Sequence, residues 1–398
     1  MRYSVTGAWA RVYADAIAMF DEDLVPFQVE IPPAQLRDLR RRLEETRWPA
    51  QVPGVGWARG APVEYLRELA GYWAGRFDWR AWERRINAYT QYVTVVDGAR
   101  IHFLHIHSRH PGAIPLLLLH GWPGTVLEFL EVIEPLSDPP DGEPAFDLVI
   151  PSHPNFGFSG PAPDAGWDSH RIACAYAELM RRLGYPRYAV HGGDFGAFIA
   201  PDLGRVDAAR VIGVHVNAAT LGFIPHGPVP GDIVPALTPA ERKRLAHLAE
   251  FLSDGSGYFQ IQGTRPHTLG FALADSPAGQ LAWMVEKFHA WTGGPGPLEV
   301  RVDRDHMLAT VATYWFTNTG GSSAQLYYES LHSPHLPTRS TTPTAVANFA
   351  GDLAIRRYAE QLNTIARWTD YEVGGHFPAM QTPGLLVTDL RAFFGELG

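Results

Sequence analysis

The stretch YAVHGGDFGAFIAPDLGR, residues 188–205, decides the fold. An apolar run leads into a glycine-rich turn centred on Asp194, and a helical pattern follows the turn. A strand, a sharp turn and a helix in this order are typical of the elbow that presents a nucleophile in an α/β protein. Gly192 and Gly196 flank the turn because larger side chains would collide there. A carboxylate at the centre can attack carbon directly and leave an alkyl ester.

Short apolar runs on both sides of this elbow alternate with helical stretches, which predicts an α/β fold with a mostly parallel sheet and helices on both faces. A hairpin opens the sheet at YVTVVDGARIHFLHIH, where Asp97-Gly98 favours a two-residue turn. The alternation stops near residue 220 and resumes at TPTAVANFA. The helical, aromatic stretch between is therefore predicted to form a lid inserted between late strands.

The bulk composition excludes several classes of protein. A chain of 398 residues that is 46% hydrophobic can bury a large core, and a net charge of -9 offers no footprint for nucleic acid. Because Cys174 is the only cysteine, no intrachain disulfide can form, and we expect a cytoplasmic protein. We also expect no targeting segment and no membrane span. We expect Cys174 to pack inside a helix. Residues 1–20 fit either an extra helix or a loose extension.

Two further polar residues follow late apolar runs, where the edge of the sheet should hold a site. His376 in GGHFPA is the candidate base, and Asp352 after TAVANFA is the candidate acid that orients it. Glu360 and Asp370 lie in the same region and remain alternatives for the acid. Backbone N–H groups of the turn HGWPG and of the residue after the nucleophile usually form an oxyanion hole. Here they would belong to Trp122 and Phe195.

These motifs resemble, over nearly the whole length from about residue 27, the microsomal type of epoxide hydrolase and its soluble bacterial relatives. The most specific likeness is IPPAQLRDLRRRLEETRWP with YLRELAGYW and FDWRAWERRINAY, which resembles the family's N-terminal meander. The resemblance implies an α/β-hydrolase fold with a meander segment and a helical lid. We divide the chain into an N-terminal extension and meander (1–90), a first core part (91–219), a lid (220–335) and a second core part (336–398).

The resemblance also implies two lid tyrosines that hold and protonate the epoxide oxygen. By motif these are Tyr258 in SGYFQIQ and Tyr327 in SSAQLYYES, with Tyr328 as the alternative if the register slips by one residue. A neutral phenol in an apolar pocket is a sensible proton donor for a breaking C–O bond. The sequence departs from close relatives, which often have Glu in place of Asp352 and commonly have Gly at Asn155 and Trp at Phe195.

The expected reaction is the conversion of an epoxide and water to a vicinal diol, through an ester on Asp194. Similar sequences act on epoxides in bacterial natural products, so we expect a bulky or aromatic epoxide as the small-molecule partner. We expect no cofactor and no metal, because no carboxylate joins the hairpin histidines His102, His105 and His107. A haloalkane dehalogenase and a non-catalytic binding protein of the same fold are the alternatives. The sequence leaves the oligomeric state open, a homodimer included.

Overall fold

The computed structural model describes residues 24–397, apart from His226, Pro228, Pro230 and Asp232. Residues 1–20, whose role the sequence leaves undecided, lie outside the described residues. Within these limits the strands form one mixed sheet of nine strands in the order β1-β2-β3-β5-β4-β6-β7-β8-β9. The strands are β1 Val25–Pro26, β2 Gln91–Val96, β3 Ala99–Ile106, β4 Ile114–Leu119, β5 Phe146–Pro151, β6 Tyr188–Gly193, β7 Val211–Asn217, β8 Pro343–Asn348 and β9 Thr364–Asp370.

The predicted hairpin and the predicted parallel core are both present. β2 and β3 pair antiparallel, and the turn residues Asp97 and Gly98 have φ values of 50° and 76°, as a tight two-residue turn requires. From β5 through β9 the neighbouring strands run parallel. β6 is buried at every residue, because helices cover both faces of the sheet. The carboxyl ends of the parallel strands therefore share one edge.

Helices precede, alternate with and follow these strands. Three of them form the N-terminal segment before β2: α1 Pro33–Glu44, α2 Val63–Gly75 and α3 Trp79–Asn87. Three more connect the early strands: α4 Leu130–Ser137, α5 Ser169–Arg182 and α6 Gly196–Val206. A short 3₁₀ helix, Val126–Phe129, precedes α4.

The helical insertion occurs between β7 and β8, where the alternating pattern breaks in the sequence. It contains α7 Pro239–Glu250, α8 Gly257–Thr264, α9 Pro266–Asp275, α10 Pro277–Thr292, α11 Leu298–Arg301, α12 Arg304–Thr317, α13 Gly320–Ser323 and α14 Gln325–Leu331. After β8 the chain forms α15 Arg356–Leu362, and after β9 it ends in α16 Pro378–Gln381 and α17 Pro383–Gly395. A capping box at Thr238 and Glu241 begins the first helix of the insertion.

One expectation about burial is wrong. Cys174 is exposed on α5, because Ile172, Tyr176 and Leu179 form the buried face and Cys174 lies two residues past Ile172, roughly 200° around the helix. The hairpin histidines differ in burial, since His102 and His105 are buried whereas His107 is exposed. His102 is fully buried and bonds to Ser152 and Gln91, which the aromatic N-terminal segment helps to cover.

Candidate active site

Asp194 stands at the tip of the turn between β6 and α6. Its φ of 55° is in the left-handed region, which is unusual for a residue with a side chain. A Cβ on Gly192 would lie 2.1 Å from the carbonyl oxygen of Gly196, and a Cβ on Gly196 would lie 2.1 Å from that of Leu119. The two glycines are therefore required by close backbone approach. The strained turn lifts the carboxylate of Asp194 out of the sheet edge.

Two backbone N–H groups hold one oxygen of this carboxylate. Oδ1 of Asp194 accepts hydrogen bonds from the N–H groups of Trp122 (2.9 Å) and Phe195 (2.8 Å). A Cβ on Gly121 would lie 2.3 Å from the same oxygen, so glycine is needed beside it. The structure thus brings together the two N–H groups expected from the sequence. They point at the place where negative charge would develop on an ester carbonyl.

His376 lies against the other oxygen of Asp194. Its Nε2 is 3.3 Å from Oδ2, an ion-pair distance whose alignment is too poor for a good hydrogen bond. The loop is held by the His376 N–H, which donates to the carbonyl of Trp291 at 3.0 Å, and the two rings pack at 4.6 Å. Although burial lowers the pKa of His376, the carboxylates of Asp194 and then Asp352 raise it above its ordinary value.

Asp352 is buried next to this histidine. Its Oδ2 accepts hydrogen bonds from the N–H groups of Ala218 (3.1 Å) and Phe349 (2.9 Å). Burial raises the pKa of Asp352 to about 6, against the opposing effects of these bonds and of His376. Within the part of the chain that the structure describes, no hydrogen bond joins Asp352 to His376, so the two interact through charge.

The other acid candidates lie away from the site. Glu360 is half exposed and pairs with Arg356 on α15. Asp370 is 48% exposed and bonds to Arg244 and Asn348. The geometry therefore favours Asp352 among the three carboxylates that the sequence left open.

The two tyrosines expected from the resemblance lie together above the turn of Trp122. Tyr258 stacks on the Trp122 indole at 5.5 Å with 10° between the planes, and Tyr327 packs edge-on against both Tyr258 and Phe195. Both phenols are buried, and burial followed by nearby charge or phenol groups raises their pKa well above the usual range. Tyr328 points elsewhere and stacks on His332. The register that places Tyr327 inward is the one in the structure.

Two buried charged residues near the site carry no motif, and the sequence did not reveal them as functional candidates. Glu128, in the 3₁₀ helix after HGWPG, lines the small pocket that also contains Asp194 and His376. Burial raises the pKa of Glu128 to about 8, and the charge of Asp194 adds to the effect while that of His376 opposes it. Lys287 on α10 packs over the ring of Tyr258. The sequence signal that could have indicated Glu128 and Lys287 was a charged residue inside an apolar helical pattern.

The arrangement combines a carboxylate, a histidine with an acid behind it and two N–H donors, with two buried phenols packed against Trp122 and Phe195 beside them. Such a set can form an ester on carbon and then hydrolyse it. Across the described residues, no cluster of three or more histidine, cysteine or acidic side chains could hold a metal ion. Nor does any helix in that part of the chain have the length and apolar character needed to cross a membrane.

Comparison with known proteins shows what the whole chain is similar to. Residues 24–129 match the family described as epoxide hydrolase N terminus, and residues 114–203 match the α/β-hydrolase fold. A putative epoxide hydrolase of Stigmatella aurantiaca is 42% identical over 94% of this chain and 85% of its own length. Epoxide hydrolase 1 of Sus scrofa is 32% identical over 95% of this chain and 90% of its own.

Solved structures give the same result. The juvenile hormone epoxide hydrolase of the silkworm Bombyx mori superposes with a TM-score of 0.88 at 31% identity, covering 96% of this chain and 97% of its own. The Aspergillus niger epoxide hydrolase superposes with a TM-score of 0.84 at 31% identity, covering 96% and 98%. The likeness therefore includes the N-terminal segment and the helical insertion as well as the sheet.

Proposed function

The chain belongs to the epoxide hydrolase family of the α/β-hydrolase fold, and from this premise we propose that it opens its epoxide by forming a covalent ester on Asp194. The observation that supports this step most is the difference in surroundings between the two carboxylate oxygens of Asp194. Oδ1 is held by the N–H groups of Trp122 and Phe195, while Oδ2 faces His376 and the space in front of it. Oδ2 is therefore the attacking atom.

Ring opening needs a proton donor for the epoxide oxygen. As Oδ2 of Asp194 bonds to an epoxide carbon, the C–O bond breaks and its electrons remain on oxygen. Tyr258 and Tyr327 hold that oxygen and give it a proton in this mechanism, and the burial that keeps both phenols protonated supports this role. The benefit grows as negative charge develops, so it belongs to the transition state.

The ester is then hydrolysed from the side of His376. Once Oδ2 is esterified, His376 can remove a proton from water, and the resulting hydroxide attacks the ester carbonyl. Negative charge collects on Oδ1, where the two backbone N–H groups already point. Asp352, buried behind the histidine, stabilises the imidazolium through its charge. The bond between Cγ and Oδ2 breaks, and the leaving oxygen takes the second proton of the attacking water, so that the diol leaves with Oδ2 and the carboxylate of Asp194 is restored.

The substrate is proposed to be a bulky or aromatic epoxide. Support comes from the rings around the phenols, since Trp122, Trp291 and Phe259 all pack against Tyr258 or Tyr327. Aromatic walls favour flat, apolar groups through stacking and edge contacts. A role in natural-product biosynthesis and a cytoplasmic location are parts of the same proposal. The substrate class is tested by comparing the rates of hydrolysis of styrene oxide and of aliphatic epoxides.

A single turnover in oxygen-18 water tests the covalent step. With enzyme in excess over styrene oxide, the first diol should carry no label, and the label should appear in the side chain of Asp194 on peptide mass analysis. The oxygen of the first diol comes from Oδ2 in this mechanism, and water replaces it. Label in the diol from the outset would mean that water attacks the epoxide directly, and would overturn the proposal.

Incubation with a 1-chloroalkane distinguishes the dehalogenase alternative. The residue after the nucleophile is Phe195, which has no side-chain N–H to hold a halide ion. We therefore expect diol from the epoxide and no chloride from the chloroalkane. Asp194→Asn serves as the matched inactive control for both assays.

A further inference from the structure

Lys287 is a buried lysine beside the proposed proton donor. It is one of two lysines in the sequence, the other being Lys243, and it is 6% exposed on α10. A lysine is seldom fully buried unless its charge has partners. Its ammonium group pairs at 2.6 Å with Glu286, the preceding residue. This ion pair accounts for one partner of the buried charge, and it leaves open what lies on the other side of the ammonium group.

Aromatic faces are the other partners of the ammonium group. Nζ of Lys287 lies 4.4 Å from the centre of the Tyr258 ring and 5.8 Å from that of Trp291. Both distances are within the range of a cation–π interaction, which strengthens when the cation is shielded from water. Tyr258 also stacks on Trp122, so its ring is held by aromatic and cationic neighbours together.

We propose that Lys287 is a positioning residue for ring opening: its ammonium group, held over the ring of Tyr258, stabilises the negative charge that the phenol oxygen gains as it gives its proton to the epoxide. This inference rests on the proposed role of Tyr258. In that step the O–H bond of Tyr258 breaks, an O–H bond forms on the epoxide oxygen, and Oδ2 of Asp194 bonds to carbon. The proton that His376 later takes from water restores the phenol, so the cycle consumes only epoxide and water.

The electrostatic need for such a charge is clear from the surroundings of Tyr258. Burial, followed by the charges of Asp194 and Glu286, holds the pKa of Tyr258 well above its usual range, although a hydrogen bond with Tyr327 opposes them. These effects keep the phenol protonated in the resting site, but they also oppose release of its proton. A cation against the ring acts in the opposite direction as the proton leaves.

The two half-reactions provide the test. Lys287→Met removes the charge and keeps most of the length of the side chain, whereas Lys243→Met removes the other, exposed lysine as a matched control. By single-turnover measurement with styrene oxide, Lys287→Met should slow ester formation on the order of tenfold, the scale of one desolvated cation–π contact. Hydrolysis of the ester should change little, because the site of water attack is governed by His376. Lys243→Met should behave like the wild type in both steps.

A double-variant cycle separates this role from a structural one. Tyr258→Phe keeps the ring and the cation–π contact but removes the proton, so adding Lys287→Met should then slow ester formation no further. An equal slowing in both backgrounds would show that Lys287 only supports the lid, and would overturn the inference, as would an unchanged rate in Lys287→Met alone. If Tyr258→Phe itself has no effect, the proposed proton donor is wrong and the inference is overturned with it.

The wild-type protein offers a second measurement that does not depend on how a variant folds. With ¹³C-labelled lysine, two side-chain signals are expected, and Lys243→Arg assigns them. The ε-methylene protons of Lys287 should be shifted upfield by the rings of Tyr258 and Trp291. A signal at the position of an exposed lysine would show that the contact does not exist in solution and would overturn the inference.

Discussion

At residues 327 and 328 the chain places two tyrosines side by side, and only one faces the site. Tyr327→Phe should slow ester formation by about ten- to a thousandfold, the scale for loss of one proton or hydrogen-bond donor. Tyr328→Phe is the matched control, because its ring stacks on His332 outside the site. Stopped-flow measurement of ester formation in both variants checks the assignment. A large defect in Tyr328→Phe alone would reverse it.

Glu128 should make the stability of the protein fall as the pH rises. Its pKa is raised to about 8 in the folded protein, chiefly by burial, from an ordinary value near 4.5. Between these values the unfolded chain loses the proton while the folded chain keeps it, so folding becomes less favourable as the pH increases. Glu128→Gln cannot ionise, and it should gain stability relative to the wild type by up to a few kcal/mol between pH 5 and pH 9.

Thermal unfolding at several pH values measures this effect. The wild-type and Glu128→Gln melting temperatures should diverge as the pH rises, with the variant higher at alkaline pH. Glu134→Gln is the control, since Glu134 is exposed on the neighbouring helix and should not change the slope. Parallel curves for Glu128→Gln and the wild type would mean that the carboxyl ionises freely in the folded protein.

The sequence was informative about residues that belong to a motif and silent about those that do not. Asp194, His376 and the donors at Trp122 and Phe195 could be predicted because each follows a strand at the same sheet edge. Glu128 and Lys287 could not, because their significance comes from contacts with Asp194 or Tyr258, which lie far away in the chain. Tyr258 and Tyr327 depended on the family resemblance alone.

At the scale of elements, the elbow should tolerate no side chain on its first glycine. Gly192→Ala would bring a Cβ to 2.1 Å from the carbonyl oxygen of Gly196, and backbone cannot move away cheaply in a buried turn. We expect Gly192→Ala to lose the fold or to lower its stability by several kcal/mol. Gly71→Ala on α2 is the control, because the Cβ that it adds has nothing within 4 Å and because alanine favours a helix. Urea unfolding of both variants compares them, and equal stability would contradict the elbow geometry.

Elements with a strong local signal were predictable, and their detailed packing was not. The hairpin at Asp97-Gly98 follows from turn chemistry, and the interruption between β7 and β8 follows from loss of the alternating pattern. The exposure of Cys174 was missed because an apolar residue next to the buried face of a helix still counts toward its periodicity. Asn155, a position where the family resemblance predicted glycine, has φ 76°, which lies in the left-handed region that favours glycine.

At the scale of the whole molecule, the N-terminal segment braces the helical insertion. The Trp57 ring stacks on His289 of α10 at 3.8 Å, with 2° between the planes. Tyr65 on α2 donates a hydrogen bond to Glu299 of α11 at 2.8 Å. Because α10 also carries Lys287, these contacts connect the segment that matches the epoxide hydrolase N terminus with the proposed proton donor.

Trp57→Ala should therefore loosen α10 without disturbing the sheet. Loss of the stack removes about 0.5–1.5 kcal/mol of aromatic contact, which is small against the stability of the whole protein but local to this helix. Hydrogen exchange measured by mass spectrometry should quicken over residues 277–292 and stay unchanged in β4 and β6, which lie in the centre of the sheet. Ester formation should slow in parallel, because the ammonium of Lys287 and the ring of Tyr258 then spend less time in contact.

Val52→Ala is the matched control for that experiment, since Val52 lies in the same loop but is 50% exposed. It should leave both exchange and ester formation as they are in the wild type. If Trp57→Ala instead quickens exchange in α10 and leaves ester formation unchanged, the contact between Trp57 and α10 has no effect on the proposed proton donor. If exchange in α10 does not change at all, the insertion is held by the core alone, and the N-terminal segment is a cover for the sheet rather than a support for the lid.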